Sequence, residues 1–84
     1  MIDFRTIYAI LDHTTLAQST TERVWYVITL VRILRSLNQR KAPILINRLY
    51  DTIIKTLMVL NYAYAKIYRN VVVDEKLDFE AKFT

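Results

Sequence analysis

Eight apolar residues in the second half of the chain fall on a single helical stripe. Ile46, Tyr50, Ile53, Leu57, Leu60, Tyr64, Ile67 and Val71 follow one another at alternating separations of 4 and 3 residues. Positions so spaced share one side of an α-helix, so the run predicts a helix of about seven turns built to lie along another helix. The opposite side reads Arg48, Thr52, Lys55, Val59, Tyr62, Lys66 and Arg69, mostly polar and basic in every charge. A seam of this length constrains packing and partners. It is silent about chemistry.

The seam belongs to a chain of 84 residues, read as one domain over 1–84, of which 54% are apolar. A body of that size hides only about 60–65% of the surface its unfolded chain exposes. More apolar surface is present than one small monomer can cover, so a homo-oligomer is expected. On this reading Ile46, Tyr50, Ile53, Leu57, Leu60 and Tyr64 are the interface candidates.

Glycine and cysteine are both absent. Without glycine, the phosphate-cradling loops of P-loop and dinucleotide-binding proteins cannot be built. Without cysteine, disulfides and thiolate metal sites are excluded. The start, Met1-Ile2-Asp3-Phe4-Arg5, has an acid where a secretory signal carries bases, and no apolar core follows it. The longest uncharged run, Thr56 to Ala65, is ten residues, against the ~18–20 that a membrane span needs. These features predict a soluble, intracellular protein, cytoplasmic or virion-associated, with no membrane span. Abundant Ile and Tyr without glycine resembles small proteins of viruses and plasmids of hot-spring archaea.

Three helices are predicted. Phe4, Ile7, Tyr8 and Leu11 share a side and mark a helix over 3–16. Ser19-Thr20-Thr21-Glu22 matches a capping box, in which Ser19 bonds the Glu22 N–H and Glu22 reaches back, and it opens a helix over 19–38. Pro43 suits the first turn of the next helix, where its missing N–H costs nothing. The seam carries that helix over 43–69. The short break at 38–43 folds the last two helices into an antiparallel hairpin. Beyond it, Val71-Val72-Val73 is β-branched, and Leu77, Phe79, Ala81 and Phe83 alternate with Asp78, Glu80, Lys82 and Thr84. A period of two predicts a C-terminal β-hairpin turning at Asp74-Glu75-Lys76, with a docked terminal helix as the alternative.

Catalytic chemistry finds little support. His13 is the only histidine, and its neighbour Asp12 would not face it on a helix. Asp78 and Glu80 sit on the solvent side of an alternating strand, interleaved with lysines and with Asp74 and Glu75 nearby in the turn, which does not converge oxygens as a hard-cation site requires. The chain is therefore expected to be no enzyme, with no catalytic residue, metal, cofactor or small-molecule substrate.

Charge is more informative. Residues 20–70 hold nine bases against two acids, while both ends are mildly acidic. In the hairpin, Arg35, Arg40, Lys41 and Arg48 gather around the turn, Arg32 lies a turn below, and Lys55 extends the same sign along the rod. Arginines fork onto phosphate, so these six residues are the candidates for nucleic-acid contact. A solvated helical surface would carry the same charges. Trp25, Tyr26, Tyr62 and Tyr68 lie off the seam, either as aromatic anchors of a subunit contact or as stacking platforms for bases.

From Arg32 onward the chain also resembles a small winged-helix DNA-binding domain. Arg32-Ile33-Leu34-Arg35-Ser36-Leu37 looks like the end of that family's first helix, and Thr52 to Leu60 is similar to its recognition helix. Tyr64-Ala65-Lys66-Ile67-Tyr68 resembles the strand that follows, and Val71 to Thr84 the wing. The resemblance implies an α+β fold, with Thr52, Lys55 and Thr56 in a DNA major groove and Lys76 at the wing tip. The unbroken seam favours instead a mainly α-helical hairpin or small bundle. The expected function is that of a self-associating protein touching nucleic acid through a basic face, as a nucleoprotein, capsid-type or DNA-organising subunit would. A winged-helix regulator and a helical protein–protein adaptor or inhibitor are the alternatives.

Overall fold

The computed structural model describes residues 3–83, and these form four helices: α1 (Phe4–Thr15), α2 (Thr20–Ser36), α3 (Pro43–Val59) and α4 (Ala63–Phe83). Met1, Ile2 and Thr84, and with them the ends of the signal and strand expectations, lie outside the described residues. The first three starts have local causes. Asp3 Oδ1 accepts the Thr6 N–H at 2.8 Å and caps α1. Ser19 Oγ accepts the Glu22 N–H at 3.1 Å, as the capping box requires. Its hydroxyl also donates to Glu22 Oε1 at 3.2 Å, so Glu22 closes the box on the serine side chain. Pro43 stands in the first turn of α3. Asn38 Oδ1 accepts the Arg40 N–H at 3.0 Å and shapes the α2–α3 turn. No described residue has a positive φ, so every turn is made without the backbone geometry that favours glycine.

α3 is the central element, and α1, α2 and α4 all pack against it. Its Leu45, Ile46, Leu49, Tyr50, Ile53 and Leu57 are buried. They meet Ile7 and Leu11 of α1, Val27, Leu30, Ile33 and Leu34 of α2, and Ala65, Val72 and Phe79 of α4. The start of α2, at Val24 and Val27, lies beside the end of α3 at Leu57, which makes the expected antiparallel hairpin. α4 then returns along α3 in the opposite direction. Phe79 stacks at a tilt on Tyr50, with ring centroids 5.8 Å apart, and on Phe83 at 5.2 Å. Mainly helical is therefore correct.

Two expectations are corrected. The helix expected over 43–69 ends at Val59, the chain turns through Leu60, Asn61 and Tyr62, and α4 begins at Ala63. Length supplies the reason. A helix over 43–69 would be about 40 Å long, whereas α2, its partner, reaches only about 26 Å at 1.5 Å per residue. The final turns would have projected into water with nothing to cover them. By reversing, the chain buries Ala65, Val72 and Phe79 instead. The C-terminal β-hairpin is also absent, and no strand occurs among the described residues. Ala65, Tyr68, Val72, Phe79 and Phe83 recur at helical spacing, and a lone two-stranded hairpin is marginal in water. Packing against α3 outweighs the cost of three valines in a helix, a few tenths of a kcal/mol each.

Ion pairs lock α4 in place. Lys76 Nζ donates to Asp51 Oδ1 on α3 at 2.5 Å, and Arg35 Nη2 at the end of α2 donates to Glu75 Oε1 at 2.7 Å. The Asp51 carboxylate holds the Lys76 ammonium above its ordinary value of 10.5, and burial pushes the Tyr50 hydroxyl above 10.0. A group with a raised folded value stabilises fully below its unfolded value and loses that contribution as pH rises through the folded one. The urea midpoint is therefore expected to fall as pH climbs past about 10, and Lys76→Met should remove part of that fall. A midpoint flat across that range would contradict both assignments.

Candidate nucleic-acid interface

The six expected phosphate contacts do not form one face. Arg35 turns toward α4 and pairs with Glu75. Arg32 on α2 and Arg40 and Lys41 in the turn are exposed, without an ion pair among the described residues. The hollow beside that turn, lined by Arg35, Gln39, Glu75, Asp78 and Lys82, mixes both signs. The turn is thus not the concentrated basic centre expected, because the acids of α4 fold back against it.

Arg48 and Lys55 lie two turns apart on α3 and look toward α1. Arg48 Nη2 donates to Asp12 Oδ1 at 3.1 Å, and its guanidinium sits 5.3 Å from the centre of the Tyr8 ring. Together with Arg23 from the first turns of α2, these two bases line an open cleft of about 470 Å³. Thr14, Thr15 and Ala17 form one wall, and Asp51, Thr52, Thr56 and Val59 extend the other. Arg23 Nη2 donates to the Ala17 carbonyl at 3.2 Å, which pins the α1–α2 connection beside the cleft. The hydroxyls of Thr14, Thr15 and Thr56 donate to the carbonyls of Ile10, Asp12 and Thr52. The Thr52 hydroxyl makes no hydrogen bond among the described residues.

Three bases thus line the cleft with one acid, Asp51, which is itself occupied by Lys76, while Arg48 is paired with Asp12 beside it. Such a cleft can take an anion by charge and by the guanidinium fork. His13 is exposed and lies outside the lining residues. Arg23 was missing from the sequence-derived set. It reads as an ordinary cation of a first helical turn, and only the return of α1 across α3 brings it beside Arg48 and Lys55.

The interface candidates divide at the helix break. Ile46, Tyr50, Ile53, Leu57 and Leu60 lie in the core of the single chain, whereas Tyr64 is 83% exposed. Tyr64 instead lines an apolar groove of about 300 Å³ between α2 and the start of α4, with Val24, Ile28, Leu57 and Tyr68. Trp25 and Ile67 are exposed nearby along the same two helices.

Of the residues that the winged-helix resemblance assigns to DNA, Thr52 and Lys55 reach the cleft surface, while Thr56 is buried with its hydroxyl committed. The described residues likened to strand and wing are helical, and Lys76 pairs with Asp51 midway along α4. No helix among the described residues is long and apolar enough to cross a membrane. No protein-family model, curated protein or solved structure matches the chain.

Proposed function

We propose that this is a non-enzymatic, self-associating helical protein that contacts the phosphate backbone of nucleic acid, as a nucleoprotein, capsid-type or DNA-organising subunit would. The carrying observation is the α1–α3 cleft, where Arg23, Arg48 and Lys55 converge, Arg48 paired with Asp12 at the rim and the lining acid Asp51 paired with Lys76. Sequence-independent phosphate contact needs cations at fixed positions and little else. Arg40, Lys41 and Arg32, exposed elsewhere, add long-range attraction that steers a polyanion toward the surface.

A duplex titration at several salt concentrations tests this reading. Three phosphate contacts release counterions with a log–log slope of about −2.7. Arg23→Gln/Lys55→Gln should lower that slope by about 1.8 and weaken binding uniformly across sequences, because each lost contact carries about 0.9. Arg40→Gln/Lys41→Gln should change the slope less. Preference for one sequence by ~10³-fold would favour the winged-helix regulator instead. Absence of binding at low salt would leave a helical adaptor, and the cleft cations as solvation.

A further inference from the structure

α4 is apolar on two sides. Its inner side, with Ala65, Val72 and Phe79, is buried against α3. Its outer side carries Ala63, Ile67, Asn70, Asp74, Leu77 and Ala81, every one exposed. Their separations alternate between 4 and 3 residues, the heptad spacing of a helix that lies along another helix. Ile67 and Leu77 are 62% and 59% exposed, large apolar residues with nothing over them in the single chain. A helix apolar on more than one side is normally covered on more than one side.

The order of these residues identifies the cover. Read from either end, the outer face runs small, large aliphatic, polar amide or acid, then the same in reverse: Ala63, Ile67, Asn70, then Asp74, Leu77, Ala81. Such a series complements itself when a second copy lies antiparallel. Charge agrees, because Lys66 and Arg69 lie in the first half of α4 while the exposed acids Asp74 and Asp78 lie in the second. A parallel pair would set like charges together, which is unfavourable.

We propose that the outer face of α4 binds the same face of a second copy of this chain, antiparallel, about a two-fold axis near Val72. The contact rests on the self-association advanced above and gives it a surface. Ile67 then packs against Leu77 of the partner subunit, Ala63 against the partner's Ala81, and the Asn70 amide donates to the partner's Asp74 carboxylate. A polar pair at the centre of an apolar seam fixes the register. The symmetry is isologous, so the assembly closes as a dimer and does not grow into a fibre. The α1–α3 cleft stays open in both copies.

Engineered disulfides provide the test, because the chain has no cysteine of its own. Within one chain, positions 63 and 81 are about 27 Å apart at 1.5 Å per residue, far beyond disulfide reach. Any bridge between them joins two copies. Ala63→Cys/Ala81→Cys should oxidise to a covalent dimer, and mixing the two single variants should give a mixed dimer, while neither single variant bridges to itself. In parallel, Leu77→Lys should convert the dimer to a folded monomer by sedimentation and circular dichroism, with duplex binding per subunit retained. Bridging by either single variant would overturn the antiparallel register. A dimer that persists in Leu77→Lys would overturn this surface and leave self-association standing. An unmutated chain that stays monomeric at every concentration would overturn both.

Discussion

Replacing Phe79 with alanine is expected to remove about 3–5 kcal/mol of stability, the range for truncating a fully buried phenylalanine. A domain of this length has a total of only about 4–13 kcal/mol at 0.05–0.15 kcal/mol per residue. Phe79 is 2% exposed, and its ring bridges Tyr50 of α3 and Phe83 of α4. Loss of the ring opens a cavity between the two helices and frees the last turns of α4. Leu77→Ala, measured at a dilution that keeps the chain monomeric, should stay within ±0.5 kcal/mol, as exposed positions do. On a strand the two residues would share a face and respond together; on α4 they lie on opposite sides. Chemical denaturation of both variants reads the difference directly, and equal losses would count against helix over 71–83.

The alternation of Leu77, Phe79, Ala81 and Phe83 shows why this segment was hard to read from sequence. The same residues support a period of two and, joined to Ala65, Tyr68 and Val72, a helical period. Local pattern cannot choose between them. The choice falls to the side of α3 that α1 and α2 leave uncovered, a long-range fact. By contrast, the starts of α2 and α3 were legible because their causes are local: a serine whose hydroxyl caps the Glu22 N–H, and a proline where no N–H is needed. The end of α3 was not, since Leu60-Asn61-Tyr62 contains neither glycine nor proline.

The cleft was half legible. Arg48 and Lys55 stand on the same side of α3 by spacing alone, and both were among the expected contacts. Their third partner, Arg23, and the removal of Arg35 by Glu75 depend on how α1 and α4 close over the hairpin, which charge counting along the chain does not encode. The surplus of apolar surface was also legible, but its position was not. Most of the seam is needed for the core, and of its remaining members Tyr64 lines the groove against α2 while Ile67 and Val71 are exposed on α4.

Two members of the original seam, Leu57 and Tyr64, sit seven residues apart and would be equivalent on one unbroken helix. Leu57→Glu places a carboxylate where the native side chain is 4% exposed, among Val24, Val27 and Ala65. No cation lines that site, so the charge either stays unpaired or takes up a proton, at a cost of several kcal/mol. That is comparable to the whole stability of a chain this size, and the variant is expected to be largely unfolded at neutral pH. Acidification should return part of its helix, because the protonated carboxyl is far cheaper to bury. Tyr64→Glu, at a position 83% exposed, should keep its helical circular dichroism and melt within a few degrees of the unmutated chain. The contrast depends on the turn at Leu60-Asn61-Tyr62, which takes Tyr64 off the face that Leu57 buries. If both variants unfold alike, the seam continues past Leu60 as a single helix, and α4 does not return along α3.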